Sequence, residues 1–169
     1  RFISQHNQTR TTVDSNQITI EGELADNNMK YNGKIYVVPK DGKVKKKSNS
    51  LLIEDTTGVV FYVTAATNYN NSYPVYRTGE TNGELDTRVQ RVIDAAAAKG
   101  YEKIRKNHLI DYKTIFERVH LDIGQKSSPI PTNELLTQYK EYISQSMNNN
   151  KLTPQFRYLE VLLFQYGRY

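Results

Sequence analysis

ELDTRVQRVIDAAAAKG, residues 84–100, is where the sequence changes character. Val89, Val92, Ile93 and Ala96 recur at helical steps and mark one apolar face. Asp86 or Thr87 supplies an N-cap and Gly100 a stop. The alanines at 95–98 are the strongest helix formers available. The apolar runs before this stretch alternate with a period of two, and those after it recur with a period near 3.6.

Upstream, short apolar runs alternate and are separated by turn residues. QITIEGEL (17–24) alternates through Ile18, Ile20 and Leu24. KIYVV (34–38) sets Ile35 and Val37 on one face and Tyr36 and Val38 on the other. SLLIED (50–55) and GVVFYVTAA (58–66) are β-branched, apolar and aromatic. Asp26-Asn27-Asn28, Asn32-Gly33, Asp41-Gly42 and Thr57-Gly58 punctuate these runs as turn signals. The pattern predicts antiparallel sheets. NYNNSYPVYRTGETNGE (68–84) has no consistent period and is predicted as a long loop.

Downstream, YEKIRKNHLIDYKTIFERVHLDIG (101–124) places Ile104, His108, Asp111 or Tyr112, and Ile115 at helical steps and is predicted to end near Gly124. A third helix follows a Thr132 or Asn133 cap, with Leu135, Leu136, Tyr139, Tyr142 and Ile143 on one face. The last helix starts after Pro154 and presents Phe156, Leu159, Leu162, Leu163 and Tyr166. Strands in one block and helices in the next predict an α+β fold.

The 169 residues are 37% hydrophobic, with 13 Tyr and no Trp. No Cys is present, which excludes disulfides, thiolate metal sites and Cys nucleophiles. The net charge of +5 raises the question of an acidic partner. Its densest source, Lys43, Lys45, Lys46 and Lys47, follows the Asp41-Gly42 hairpin signal and has no interleaved Arg or aromatic residue. It reads as a solvated strand edge rather than a phosphate-binding patch, and no nucleic-acid partner is expected. No run of 18 or more apolar residues occurs, and no membrane partner is expected.

Side-chain chemistry gives no active site. His6, His108 and His120 lack a metal-ligand spacing, and no metal or cofactor is implied. Glu21 with Glu23, Asp111 with Glu117, and Asp122 are the carboxylates worth weighing as acid–base groups. Glu21 and Glu23 read as a solvated edge. Asp111 reads as a helix-surface charge neutralised by Lys113 or Arg118. Asn7-Gln8-Thr9 and Asn70-Asn71-Ser72 match the N-glycosylation pattern. Tyr69, Tyr73 and Tyr76 of the long loop either pack the sheet onto the helices or stack on sugar faces.

Two longer motifs point further. Residues 91–124 contain Lys99, Gly100, Tyr101, His108, Asp111, Tyr112, Phe116, Arg118, Val119, Leu121 and Gly124 at fixed spacing, and the chain closes on LFQYGRY, Leu163 to Tyr169. Together they resemble the motifs of glycoside hydrolase family 95, the α-L-fucosidases and related α-L-galactosidases. Ile104 and Ile115 stand where the family usually has leucine. VVFYVTAATNY (59–69) resembles the family's strand leading into a loop.

The resemblance implies a glycosidase acting on fucosylated glycans with inversion. It implies that residues 1–84 belong to a β-supersandwich, 85–150 to a helical linker, and 151–169 to the first helix of an (α/α)6 catalytic barrel. The family's catalytic Glu, Asp and asparagines lie beyond the closing motif, so no catalytic residue is expected among these 169. The chain is expected to be a fragment, inactive alone. The remainder of a catalytic domain or a second copy is expected to cover the apolar C-terminal helix. An exported location follows from the resemblance only. A non-catalytic carbohydrate-binding or structural module is the alternative.

Overall fold

The computed structural model describes residues 9–145 and 152–168. His6, Asn7, Gln8 and Tyr169 lie outside the described residues, as does most of the predicted loop before Pro154. Six strands precede four helices, as the α+β reading expects. The chain forms two compact units, residues 1–106 and 107–169.

In the first unit, β1 (Arg10–Asp14), β2 (Gln17–Glu23), β3 (Lys30–Pro39) and β6 (Val59–Thr67) form an antiparallel sheet in the order β1-β2-β3-β6. The β1–β2 connection turns through Ser15, whose φ is 48°. The β2–β3 connection uses Asn28 at φ 55°, with the Met29 N–H donated to the Asn27 side chain at 2.9 Å. Asn tolerates that left-handed backbone better than most residues.

Asn32-Gly33 is not a turn; it lies in the middle of β3, opposite Glu21 and Ile20. A turn-type dipeptide can stay extended when its side chain has a buried partner. Asn32 is buried and donates to Asp86 Oδ1 at 3.0 Å.

Asp41-Gly42 does not close the lysine-rich hairpin either. It leads from β3 into β4 (Lys43–Lys47), which pairs with β5 (Ser50–Glu54) through Ser48 and Asn49. β3 and β6 pair as far as Pro39 and Val59, so residues 40–58 are an excursion between two neighbouring strands. Its neck is tied shut. Lys40 N–H donates to Gly58 O at 2.8 Å, and the Asp41 carboxylate accepts from Thr57 N–H at 2.6 Å and the Thr57 and Thr56 hydroxyls at 2.8 and 3.0 Å. These bonds, led by the Thr57 N–H, hold the Asp41 carboxyl below its usual range. Gly42 sits at φ 76°, and a Cβ there would come within 2.3 Å of Glu54 O. Only Gly fits that crossing.

The sheet has two unlike faces. Val13, Ile18 and Ile20 form an apolar core with Tyr31, Ile35 and Leu51, the last brought in by the hairpin. The other face carries Lys34, Asn32 and Thr19, and α1 (Asn82–Lys99) lies over it. Leu85, Val89 and Ile93 are the buried residues of that helix. Val92, expected on the buried stripe, is half exposed. The cap differs too. Thr81, not Asp86 or Thr87, is the N-cap: its hydroxyl accepts from Glu84 N–H, and Glu84 reaches back to Thr81 N–H at 2.8 Å. This capping box starts the helix five residues earlier than Asp86, which makes Leu85 core and turns Asp86 onto the sheet.

Asp86 Oδ1 then accepts from Lys34 Nζ at 2.6 Å, and the Lys34 side chain is only 4% exposed. Lys34 also donates to Thr19 at 3.4 Å, and Gln17 and Gln90 exchange amide hydrogen bonds at 2.9 and 3.3 Å. Helix and sheet are thus joined by polar groups as well as by Leu85, Val89 and Ile93.

In the second unit, the helix α2 (Tyr101–Phe116), which begins in the first unit, stops well before Gly124. The carbonyls that would extend it are taken by arginines. Arg168 donates to Phe116 O at 2.6 Å and Val119 O at 3.0 Å, and Arg157 to Ile123 O at 3.1 Å. Both arginines lie on α4 (Pro154–Arg168). The Arg168 guanidinium also lies over the Phe116 ring at 4.6 Å, and Phe116 continues a stack through Tyr112 to His108. A cation at a helix C-terminus is favoured by the backbone dipoles there. The two motifs noted in the sequence therefore meet at one guanidinium.

α3 (Thr132–Gln145) buries Leu135, and its Tyr139 and Tyr142 both contact the Phe156 ring of α4. Val161 is the buried residue of α4, whereas Leu163 and Tyr166 are 74% and 78% exposed.

Two substitutions probe these joints. Asp86→Ala should destabilise the folded chain by about 3 kcal/mol, because it leaves Lys34 buried without its counter-charge. Lys34→Met should cost less, since Asp86 retains access to water. Urea titrations of both variants check the order. Arg168→Ala should cost about 2 kcal/mol through the lost charged hydrogen bonds and ring contact, with the loss read as a lowered thermal midpoint.

Candidate functional site

The loop after β6 is fixed at both ends. Asn68, buried, donates its N–H to Lys30 O at 3.1 Å and accepts Lys30 N–H on Oδ1 at 3.0 Å. Thr78 N–H closes on Asn68 O at 2.8 Å, and Tyr69 and Arg77 form an antiparallel bridge. Arg77 donates to Asn27 O at 3.0 Å, tying the loop to the β2–β3 turn. At the far end Arg88 grips Glu80 with two bonds of 2.7 and 2.8 Å and donates a third to Thr67 O at 3.0 Å. Lys30 Nζ donates to Glu80 O at 3.2 Å.

The fixed ends hold the loop's tip out to solvent. Tyr73 is 86% exposed, and Tyr69, Val75 and Tyr76 are also exposed. The tyrosines therefore do not pack the sheet onto α1. Tyr73 and Tyr76 meet edge to face, with ring centroids 6.3 Å apart. Tyr76 has a φ of 54°, held by its N–H donated to Ser72 O at 2.9 Å and its carbonyl accepting from Asn70 N–H at 3.2 Å. Bulky residues rarely adopt that backbone, and such strain collects at functional segments. Tyr69 sits beside the tip and donates to Asn71 Oδ1 at 3.4 Å. Two rings at right angles, flanked by Asn, Ser and Arg side chains, offer an apolar platform with hydrogen-bonding groups at its rim.

The sequence reading singles out the three tyrosines but misses Arg77, Glu80 and Arg88, which hold them. Thr81-Asn82-Gly83-Glu84 carried the signal for where the loop ends and α1 begins.

Three of the carboxylates weighed as acid–base groups, Glu21, Glu117 and Asp122, have other partners. Glu21 lies 3.6 Å from Arg10, and Glu117 lies 3.6 Å from Lys113. Lys113 therefore serves Glu117, and Arg118 donates to Thr114 O at 2.8 Å. Asp122 accepts from Gly124 N–H at 2.8 Å. His108 is exposed within its ring stack, and His120 is exposed. Among the described residues no group of three His, Asp or Glu is arranged to hold a metal ion, and no helix is long and apolar enough to cross a membrane.

The second unit carries one further concavity, a groove of about 540 Å³ between α3 and α4 lined by Leu136, Tyr139, Leu159, Leu163 and Tyr166. Tyr139 donates to Glu160 at 2.9 Å there. Burial, then this bond to a carboxylate, raises the Tyr139 pKa.

Comparison with known proteins matches this division into a sheet and helices. Residues 2–72 match the sequence model of the glycosyl hydrolase family 65 N-terminal domain, and residues 100–169 match that of the glycosyl hydrolase family 95 catalytic domain. Both matches are to domains of glycoside hydrolases. The protein named probable alpha-fucosidase A from Aspergillus niger is 30% identical over an alignment of 151 residues that covers 83% of this chain and 17% of that protein. Over its helical part the chain is similar to the family 95 glycoside hydrolases, and it spans about a sixth of the length of this curated relative.

Acid should loosen the loop's far end. The two Arg88 bonds, then the Thr78 hydroxyl, hold the Glu80 carboxyl below its usual range, and the Thr81 N–H and hydroxyl do the same for Glu84. A carboxylate whose folded pKa is lowered contributes stability above the usual glutamate range and loses it as pH falls through the folded value. Glu80→Gln should therefore lower the thermal midpoint at neutral pH. The gap to the parent chain should narrow on acidification below that range, as melting curves over a pH series would record.

Proposed function

We propose that the chain is the part of an α-L-fucosidase-like glycoside hydrolase that joins its β-rich N-terminal domain to its helical catalytic domain. On this reading residues 1–84 belong to a β-supersandwich, residues 85–150 to the linker, and residues 151–169 open an (α/α)6 barrel. The whole enzyme cleaves fucosylated glycans with inversion. The 30% identity over 151 residues to a protein named probable alpha-fucosidase A carries the reading, because it runs through both units.

The carboxylates support a division of labour. Asp41 closes a neck, Glu80 and Glu84 fix the start of α1, Asp86 holds Lys34, and Glu160 accepts from Tyr139. An inverting glycosidase sets an acid and a base roughly 6.5–9.5 Å apart with water between them. In this proposal those groups come from polypeptide outside residues 1–169, and this chain supplies scaffold and a glycan contact.

A second reading, a glycan-binding module without catalysis, draws on the exposure of Tyr73 at the tip of a loop stapled at both ends. In either reading Tyr69, Tyr73 and Tyr76 touch sugar.

The test is an assay of the longer gene product on fucosylated oligosaccharides, with proton NMR following the anomer released. Turnover with inverted fucose is expected there, and none from the 169-residue chain. Turnover by the short chain, or none by the long one, overturns the first reading. Tyr73→Ala should weaken glycan binding about fivefold or more, the scale of one lost ring contact of about 1 kcal/mol. Unchanged binding would remove the loop from the site.

A further inference from the structure

Among the described strands β6 ends the sheet: it pairs with β3 on one side, and no described strand lies on the other. Its nine residues, VVFYVTAAT, contain no charge, proline or glycine. The opposite end of the sheet, β1, carries Arg10 and Asp14. Long uncharged edges present a row of backbone donors and acceptors that templates another strand, and charges at an edge oppose that pairing.

Both faces beside the β6 edge are apolar. On the helix side a groove of about 290 Å³ is lined by Val60, Tyr62, Val92, Ala96, Tyr101 and Ile104. On the opposite side Phe61 and Val63 are 56% and 70% exposed. A strand added here must therefore be apolar in both of its side-chain rows. Every other described strand carries charge: Glu21 and Glu23 in β2, Lys30 and Lys34 in β3, four lysines in β4, and Glu54 in β5. β6 alone among them has two uncharged rows.

We propose that β6 is a self-association edge, on which β6 of a second copy pairs antiparallel to make one continuous eight-stranded sheet. The geometry is self-complementary. A two-fold axis normal to the sheet places like faces on the same side, so Phe61 and Val63 of one copy continue the same apolar stripe of its partner. The two grooves likewise lie on one side. The pairing is antiparallel, like every other pair in this sheet.

Sedimentation velocity over a concentration series tests this. The parent chain should shift with concentration from 19.5 kDa towards twice that mass. Val63→Lys sets lysines against each other near the axis and should abolish the shift with an unchanged circular dichroism spectrum. Val63→Thr, branched and uncharged, should keep it, and so should Leu163→Lys on the exposed face of α4. A parent chain that stays monomeric throughout overturns the proposal. So does a dimer that survives Val63→Lys, or one lost in Leu163→Lys, which would place the interface on α4.

Discussion

A buried lysine decides how the first unit is built. Lys34 sits near the middle of β3 with its ammonium among sheet and helix rather than in water. That placement is tolerable only because Asp86 faces it from α1 at 2.6 Å. The pair fixes more than an energy. Asp86 can meet Lys34 only if α1 has already begun at Asn82, which requires the Thr81–Glu84 box. That box in turn sets the end of the tyrosine loop, and Glu80, one residue before it, is gripped by Arg88 from the second turn of the same helix. Sheet, helix and loop are therefore in register through one ion pair. Such a pair is weak evidence for stability in itself, because the cost of taking two charges out of water offsets much of their attraction, but losing one partner leaves the other buried and uncompensated.

The strands were legible because alternation is a local property. Ile18 and Ile20 are buried, as the pattern in QITIEGEL requires. What the pattern does not reveal is which face receives a helix. Asn32, Lys34 and Thr19 look like a wet face, yet they lie beneath α1. The misreadings share a physical cause, a side chain whose partner is far along the chain. Asn32-Gly33 has turn chemistry until Asp86, 54 residues later, takes the amide. Residues 117–124 have helical spacing until Arg168 and Arg157 take carbonyls from the region where α2 would have continued. At the candidate site the tyrosines were visible as a composition. Their exposure was not, because it depends on how Asn68, Arg77 and Arg88 anchor the loop.

The two units differ in how they are held. The first combines an apolar sheet core with a polar seam under α1. The second relies on ring contacts and arginines: Phe156 between Tyr139 and Tyr142, and Arg168 over Phe116. Guanidinium groups suit that task, because a planar fork can serve carbonyls at its edge and an aromatic ring on its face at once. The matches to two different glycosidase modules fall on the same two kinds of construction, β-rich up to residue 72 and helical from residue 100.

The pinched neck at Lys40–Gly58 separates length from register. Because β3 and β6 already meet at Pro39 and Val59, and Asp41 closes the gap behind them, the sheet does not feel how long the excursion is. The β4–β5 hairpin packs Leu51 onto the core, but its tip lies outside the main sheet's pairing. Polypeptide could be lengthened or grafted at its tip, Ser48-Asn49, without moving a single cross-strand partner in the main sheet. That makes this position the natural port for a tether or a reporter, and a place where relatives can diverge in length while keeping the same frame.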